Sequence, residues 1–336
     1  MVLGLTTLFL SLVAAVAVVL AGDIYLHYKY QDVAGLNVWG YRGPVVGSKQ
    51  PGERRIVFLG GSTIFGYGVR RWEALPARLE QQLSSNRPQG GGAVSVVNLA
   101  YNAEGAYSFV YTLRDYAYLD FDMVILASGY NDLQSNTSVV RHQSPVFRLT
   151  GYWPIFPLIL QEKAMALRYG GDIGQAYRGE KTTFVPKWRD RTVAEGLEAS
   201  VQVSRSLEHQ LGRLTDADRV EKEVGTALCS EQWAFYCERV YSAVNLALQT
   251  GKLVVVVTEP YISDQHVEQQ KEMSNMLRQR FQSPLDVAYV NLGRVVDLKD
   301  PTLAWDRMHL SVTGNERMAA ALAKPVLDAL EKAGRH

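Results

Sequence analysis

Five short apolar runs, each closed by a glycine, asparagine, serine or proline, constrain the fold of this chain most strongly. They are IVFLG at 56–60, AVSVVNLA at 93–100, DMVILAS at 122–128, KLVVVVTEP at 252–260 and DVAYVNL at 286–292. Rich in β-branched residues and too short for helices, they read as buried strands. Between and after them lie the helically spaced segments WEALPARLEQQLS, YSFVYTLRDYAYL, SEQWAFYCERVYSAVNLALQT, HVEQQKEMSNMLRQRF and GNERMAAALAKPVLDALEK, the last with a potential bend at Pro325. Strand and helix alternate, so the sheet is expected to be mainly parallel and covered on both faces. The expectation is a three-layer α/β/α sandwich with a five-stranded sheet over residues 55–335. The alternation stops after residue 133, and 134–228 read as a largely helical insertion containing Trp153, Tyr177 and Trp188.

The amino terminus obeys a different rule. From Val2 to Gly22 there is no charge, and this is long enough to cross ~30 Å of hydrocarbon. Residues 1–22 are therefore expected to be a single-pass transmembrane signal anchor, with 23–54 as a linker. Small residues in VVLAG would also suit a signal peptidase, and His27 and Lys29 are too few to set the orientation by charge. A net charge of +1 gives no long-range pull toward nucleic acid. Two cysteines rule out a four-thiolate zinc site. If Cys229 and Cys237 lie on one straight helix, eight residues hold them about 12 Å apart, too far to bridge, and they read as small core residues unless that helix is broken.

In a parallel sheet, ligands gather at the carboxyl ends of the strands. The groups expected there are Ser62 in IVFLGGSTIFGYGV, Asn98 and Gly105 in NLAYNAEGAYS, Asn131 and Asp132 in SGYNDL, and Asp306 and His309 in WDRMHLSVTGN. Each has a plain structural role available. Ser62 and Asp132 would cap helices, Asn131 would make a turn, and Asn98 would pin neighbouring loops. Asp306 stands three residues before His309, where its carboxylate can reach one ring nitrogen and set the tautomer. GGSTIFGYG lacks both the lysine of a phosphate loop and the spacing of a dinucleotide fingerprint.

These four stretches, in this order, resemble the blocks of the SGNH hydrolases, also called the GDSL esterase/lipase family. The matching residues are Gly60-Gly61-Ser62-Thr63, Gly105, Gly129-Tyr130-Asn131-Asp132 and Asp306-Arg307-Met308-His309, within 55–133 and 229–330. The resemblance implies a flavodoxin-like sandwich with Ser62 as nucleophile, His309 as general base and Asp306 orienting it. It also implies an oxyanion hole from the Ser62 N–H, the Gly105 N–H and the Asn131 amide. Two departures stand out: Gly-Gly-Ser replaces the family's Gly-Asp-Ser, and seven steps separate Asn98 from Gly105, which leaves Ala100 or Asn102 as alternative donors.

The implied reaction is acyl transfer with neither cofactor nor metal. The first reading is a serine esterase acting on short acyl esters, with a glycan or small ester as partner. The alternatives are an O-acyltransferase acting on a cell-surface glycan and a non-catalytic, membrane-tethered binding protein. The N-terminal helix would hold the domain at a membrane on its extracytoplasmic side, and the insertion's aromatics suit sugar stacking as well as packing.

Overall fold

The computed structural model describes residues 2–86, 92–171, 181–212, 229–281 and 287–333. Tyr177 lies outside them. In chain order the helices are α1 (Val2–Lys29), α2 (Ser62–Phe65), α3 (Leu75–Ser85), α4 (Ala106–Asp115), α5 (Val140–Gln143), α6 (Pro145–Thr150), α7 (Phe156–Arg168), α8 (Trp188–Gly212), α9 (Ala234–Gln249), α10 (Asp264–Arg280) and α11 (Val312–Ala333). The strands are β1 (Arg54–Leu59), β2 (Val94–Asn98), β3 (Met123–Ser128), β4 (Leu253–Thr258) and β5 (Val287–Val290).

The chain divides into two compact units. The larger, made of Gln31–Asn37, Tyr41–His142 and Val220–His336, contains the whole sheet. Every strand pair is parallel and the order is β2-β1-β3-β4-β5, the flavodoxin-like arrangement. β3 is buried throughout, and β1 and β4 are buried beyond their first residue, which is why they read as unbroken apolar runs.

Helices α3 and α11 cover one face of the sheet, and α4, α9 and α10 cover the other. α3 illustrates how sequence sets this packing. Pro76 sits in the first turn, where its missing N–H costs nothing, and Leu75, Leu79 and Leu83 recur every four residues toward the core. Pro325 lies inside α11, which continues to Ala333.

The cysteines depart from the straight-helix expectation. Cys229 and Cys237 form a disulfide with Cα atoms 6.2 Å apart. The segment is broken: a 3₁₀ turn at Glu231–Trp233 precedes α9, so Cys229 folds back rather than continuing along the helix axis.

The region read as a linker also divides. α1 runs on to Lys29, while 31–37 and 41–54 belong to the sheet unit. Arg42 makes an isolated bridge to Asn98 and is almost wholly buried.

The smaller unit combines Met1–Tyr30, Val38–Gly40 and Gln143–Arg219. Within it α7 packs on α8, and α1 touches α7. α1 is long and apolar enough to cross a membrane, and its apolar stretch is almost entirely exposed, unlike a core helix.

Candidate active site

β1 ends at Gly60-Gly61 and turns directly into α2, placing Ser62 at the carboxyl rim of the sheet. A side chain at Gly61 would put its Cβ 2.4 Å from Asn131 Nδ2 and 3.0 Å from the Glu104 carbonyl. The second glycine therefore lets three rim segments converge on the serine.

That turn is clamped from beneath by Arg42. Its guanidinium donates to the carbonyls of Phe65, Gly66 (2.7 Å), Val69 (2.6 Å) and Val33 (3.1 Å). Burial lowers the Arg42 pKa to about 10, which still leaves it charged. Asn98 adds a second brace: its amide donates to the Ile64 and Phe65 carbonyls at 3.2 and 3.3 Å, while its oxygen accepts from Ala100 N–H.

Ser62 Oγ lies 2.8 Å from His309 Nε2, and His309 Nδ1 lies 2.7 Å from Asp306 Oδ2. With Asp306 accepting at Nδ1, that nitrogen carries the ring proton and Nε2 accepts from the serine hydroxyl. Asp306 Oδ1 also accepts the backbone N–H groups of Met308 (3.0 Å) and His309 (2.7 Å). Burial pushes the Asp306 pKa up, but these bonds and the imidazole more than offset it, so the carboxyl stays below its ordinary value. The loop folds this tightly because Arg307 adopts φ 65°, in the left-handed region that non-glycine residues disfavour.

Beside Gly61, Asn131 Nδ2 donates to the Glu104 carbonyl at 2.8 Å. One amide hydrogen is thereby oriented and the second remains for a ligand. Gly105 meets the same turn: its missing Cβ would lie 2.4 Å from Asp132 Oδ1, and that oxygen accepts Ala106 N–H at 2.9 Å. Glu104 is fixed in turn, since its carboxylate accepts Val140 N–H at 2.6 Å and stands 3.9 Å from Arg141.

Behind the Asn131 turn is a buried polar layer that sequence reading passed over. Glu259, at the tip of β4, accepts Tyr130 N–H at 3.2 Å. Gln269 and Gln270 of α10 donate to the carbonyls of Asp132 (2.7 Å) and Ser128 (3.0 Å). Burial raises both Asp132 and Glu259 to about 7, against the lowering effect of their backbone hydrogen bonds. Burial also lowers His266, in the same layer, to about 4. The available signal was position: Glu259 closes an apolar run at the rim, as Asn131 nearly does.

The structure thus gathers Ser62, Asp306, His309, Asn131 and Gly105 at one end of the sheet. Trp153 and Trp188 belong to the other unit.

No family model matches the chain, and no curated protein matches it. Among solved structures it is similar to a lipase/acylhydrolase from Enterococcus faecalis, at 13% identity and TM-score 0.43, covering 81% of this chain and 95% of that one. A second is the psychrotrophic esterase EstA from Pseudoalteromonas sp., at 8% identity and TM-score 0.43, over 83% of this chain and 99% of that one. A third is a family two carbohydrate esterase from Clostridium thermocellum, at 12% identity and TM-score 0.41, over 86% of this chain and 68% of that one.

Proposed function

We propose that this protein is a membrane-anchored serine ester hydrolase of the SGNH type, acting on short acyl esters of a carbohydrate. The observation that carries this reading is the continuous relay from Ser62 Oγ through His309 to Asp306, at 2.8 and 2.7 Å, on a strand-tip turn.

Ser62 Oγ attacks the ester carbonyl while His309 Nε2 takes its proton, and Asp306 stabilises the imidazolium that forms. The carbonyl oxygen becomes an oxyanion, held by the Asn131 amide with the Ser62 and Gly105 N–H groups. Such donors are worth about 10²–10³-fold each in rate. The tetrahedral intermediate collapses, His309 returns the proton to the departing alcohol, and the acyl group stays on Ser62. Water then repeats the sequence and frees the acid. If a glycan hydroxyl replaces water, the same residues perform acyl transfer.

One feature supports a location outside the cytoplasm and a second supports attachment to a membrane. Disulfides such as Cys229–Cys237 persist mainly in oxidising compartments. The exposed apolar face of α1 suits lipid, making it a single-pass anchor.

The test is p-nitrophenyl acetate turnover by the full chain in detergent, beside Ser62→Ala and His309→Ala, together with fluorophosphonate labelling. Loss of about 10⁴-fold or more in kcat in both variants, with label on Ser62, is expected. Acyl groups recovered on an added glycan instead of as free acid would make it a transferase. No turnover and no label would leave the tethered binding protein as the reading.

A further inference from the structure

Resting on the esterase reading, the geometry points to the alcohol half of the substrate: we propose that the rim beside His309 binds an acidic glycan, its sugar ring against Trp305 and Tyr67 and its carboxylate met by Arg307 and Arg70.

Chemistry divides the site. His309 hands its proton to the departing alcohol, so whatever lies beside its ring faces the alcohol and not the acyl group. The acyl carbonyl lies toward Asn131 and Gly105. What lies beside His309 is aromatic. The Trp305 indole stacks on the imidazole with ring centroids 5.6 Å apart and planes 18° apart, and Tyr67 approaches it at 4.9 Å. Trp305 and Tyr67 are themselves 6.0 Å apart. Packed core indoles are nearly sealed from water, yet Trp305 is 42% exposed next to a reacting centre. An exposed aromatic wall suits a partner that offers C–H groups on one face and hydroxyls around its edge, which describes a pyranose ring.

The wall is built to a fixed shape. Gly68 adopts φ +86°, and a Cβ there would fall 2.7 Å from Trp305 Nε1. The loop carrying Tyr67 and Arg70 is therefore seated directly on the indole. Arg307, two residues from Trp305, has a left-handed backbone and is exposed. Arg70 is also exposed, its guanidinium 5.5 Å from the centre of the Trp72 ring, and Trp72 is 36% exposed. Among the described residues neither Arg307 nor Arg70 forms a salt bridge, whereas neighbouring Arg71 is paired with Asp32. The acids nearby are engaged: Asp306 holds His309, and Glu73 accepts Arg70 N–H. Two exposed arginines on an aromatic rim match a carboxylate-bearing sugar, since guanidinium meets carboxylate in a bidentate fork. A long acyl chain would instead require a continuous aliphatic groove.

The test uses the full chain with Ser62→Ala, in phosphatidylcholine nanodiscs, titrated by calorimetry with an oligogalacturonate and with a neutral xylo-oligosaccharide of equal length. The acidic oligosaccharide is expected to bind at least tenfold more tightly, and to weaken as salt rises. Adding Arg70→Gln and Arg307→Gln removes that preference. Trp305→Ala loses binding of both oligosaccharides while Trp305→Phe retains it, with thermal melts confirming that each variant is folded. Equal affinity for the two oligosaccharides, or a preference that survives loss of both arginines, overturns the proposal. So does displacement of the acidic oligosaccharide when a third of the lipid is phosphatidylglycerol, which would make the rim a headgroup site. Fluorophosphonate labelling of the wild-type chain separates the two readings: label without acidic preference sinks only the glycan subsite, and preference without label sinks only the esterase.

Discussion

Asp132 and Glu259 are carboxyls that folding makes harder to ionise, because burial raises each to about 7. Their folded pKa values exceed the ordinary ones near 4, so the native state holds more protons between about pH 4 and 7, and stability falls as pH rises through that window. His266 works the other way. Lowered to about 4 by burial, it contributes stability that grows between pH 4 and its ordinary value near 6.5. Above about pH 6.5 only the carboxyls remain in play. The melting temperature of the wild-type chain should therefore fall by several degrees between pH 6.5 and 8, and the pair Asp132→Asn with Glu259→Gln should flatten that slope. An unchanged slope in the double variant, followed by calorimetry, would refute the assignment. Arg42 gives a second prediction at this scale. Arg42→Met removes the side-chain donor of the Val33 and Val69 carbonyls and one of two donors to Phe65 and Gly66, and the protein should lose about 3 kcal/mol in urea denaturation. Because those carbonyls lie under the Ser62 turn, kcat on p-nitrophenyl acetate should fall more than KM rises. A loss confined to stability would separate Arg42 from the nucleophile.

At the scale of elements, all five strands were legible because a parallel sheet buried on both faces demands unbroken β-branched runs, as in Leu253–Thr258. The rim positions of Ser62 and Asn131 were read from where those runs stop, and His309 from its spacing to Asp306 just before the last helix. The contributions of the connector did not, since Arg42 reaches across to carbonyls up to twenty-seven positions away and no local period encodes that. Glu259 was missed for a related reason: an acid ending a strand looks like a solvated turn until it is seen buried and accepting the Tyr130 N–H. The cysteines show how a helical period misleads at its edge. SEQWAFYCERV has helical spacing throughout, yet the 3₁₀ turn at Glu231–Trp233 redirects the chain and brings the sulfurs together. For a loop of this size the bridge should contribute about 2–3 kcal/mol. Replacing both cysteines by serine should lower the melting temperature by several degrees while leaving fluorophosphonate labelling of Ser62 intact, because the bridge lies at the start of α9 and the hydrogen bonds of Ser62, Asn131, Asp306 and His309 run to other residues. Lost labelling at temperatures where the variant is still folded would place the disulfide in the site's support.

For the whole molecule, the decisive feature is that α1 belongs to a folded unit. Asp23 on α1 is buried, and its carboxylate accepts Phe156 N–H at 2.5 Å, Ile155 N–H at 3.3 Å and the Tyr152 hydroxyl. His27, one turn on, meets the Trp153 carbonyl at 2.9 Å and Asp23 at 3.4 Å. A flexible tether would have no need of a buried carboxylate that accepts two backbone N–H groups from the segment before α7. Removing residues 1–30 strips these N–H groups of their acceptor and uncovers the apolar residues around them, at a cost per orphaned buried group of about 1–3 kcal/mol. The sheet unit keeps its own core in Ile56, Phe58, Val124, Ile125 and Val255, none of which depends on α1. The truncated chain should therefore lose one unit and keep the other. Limited proteolysis followed by mass spectrometry should show cuts within 143–219 appearing at least tenfold faster than in the full chain, while Ser62 still takes fluorophosphonate at an undiminished rate. The single change Asp23→Ala should reproduce the effect in part within the full chain. Equal proteolysis of truncated and full chains would return α1 to the role of a simple tether, and loss of labelling on truncation would show that the sheet unit needs its neighbour to form the site.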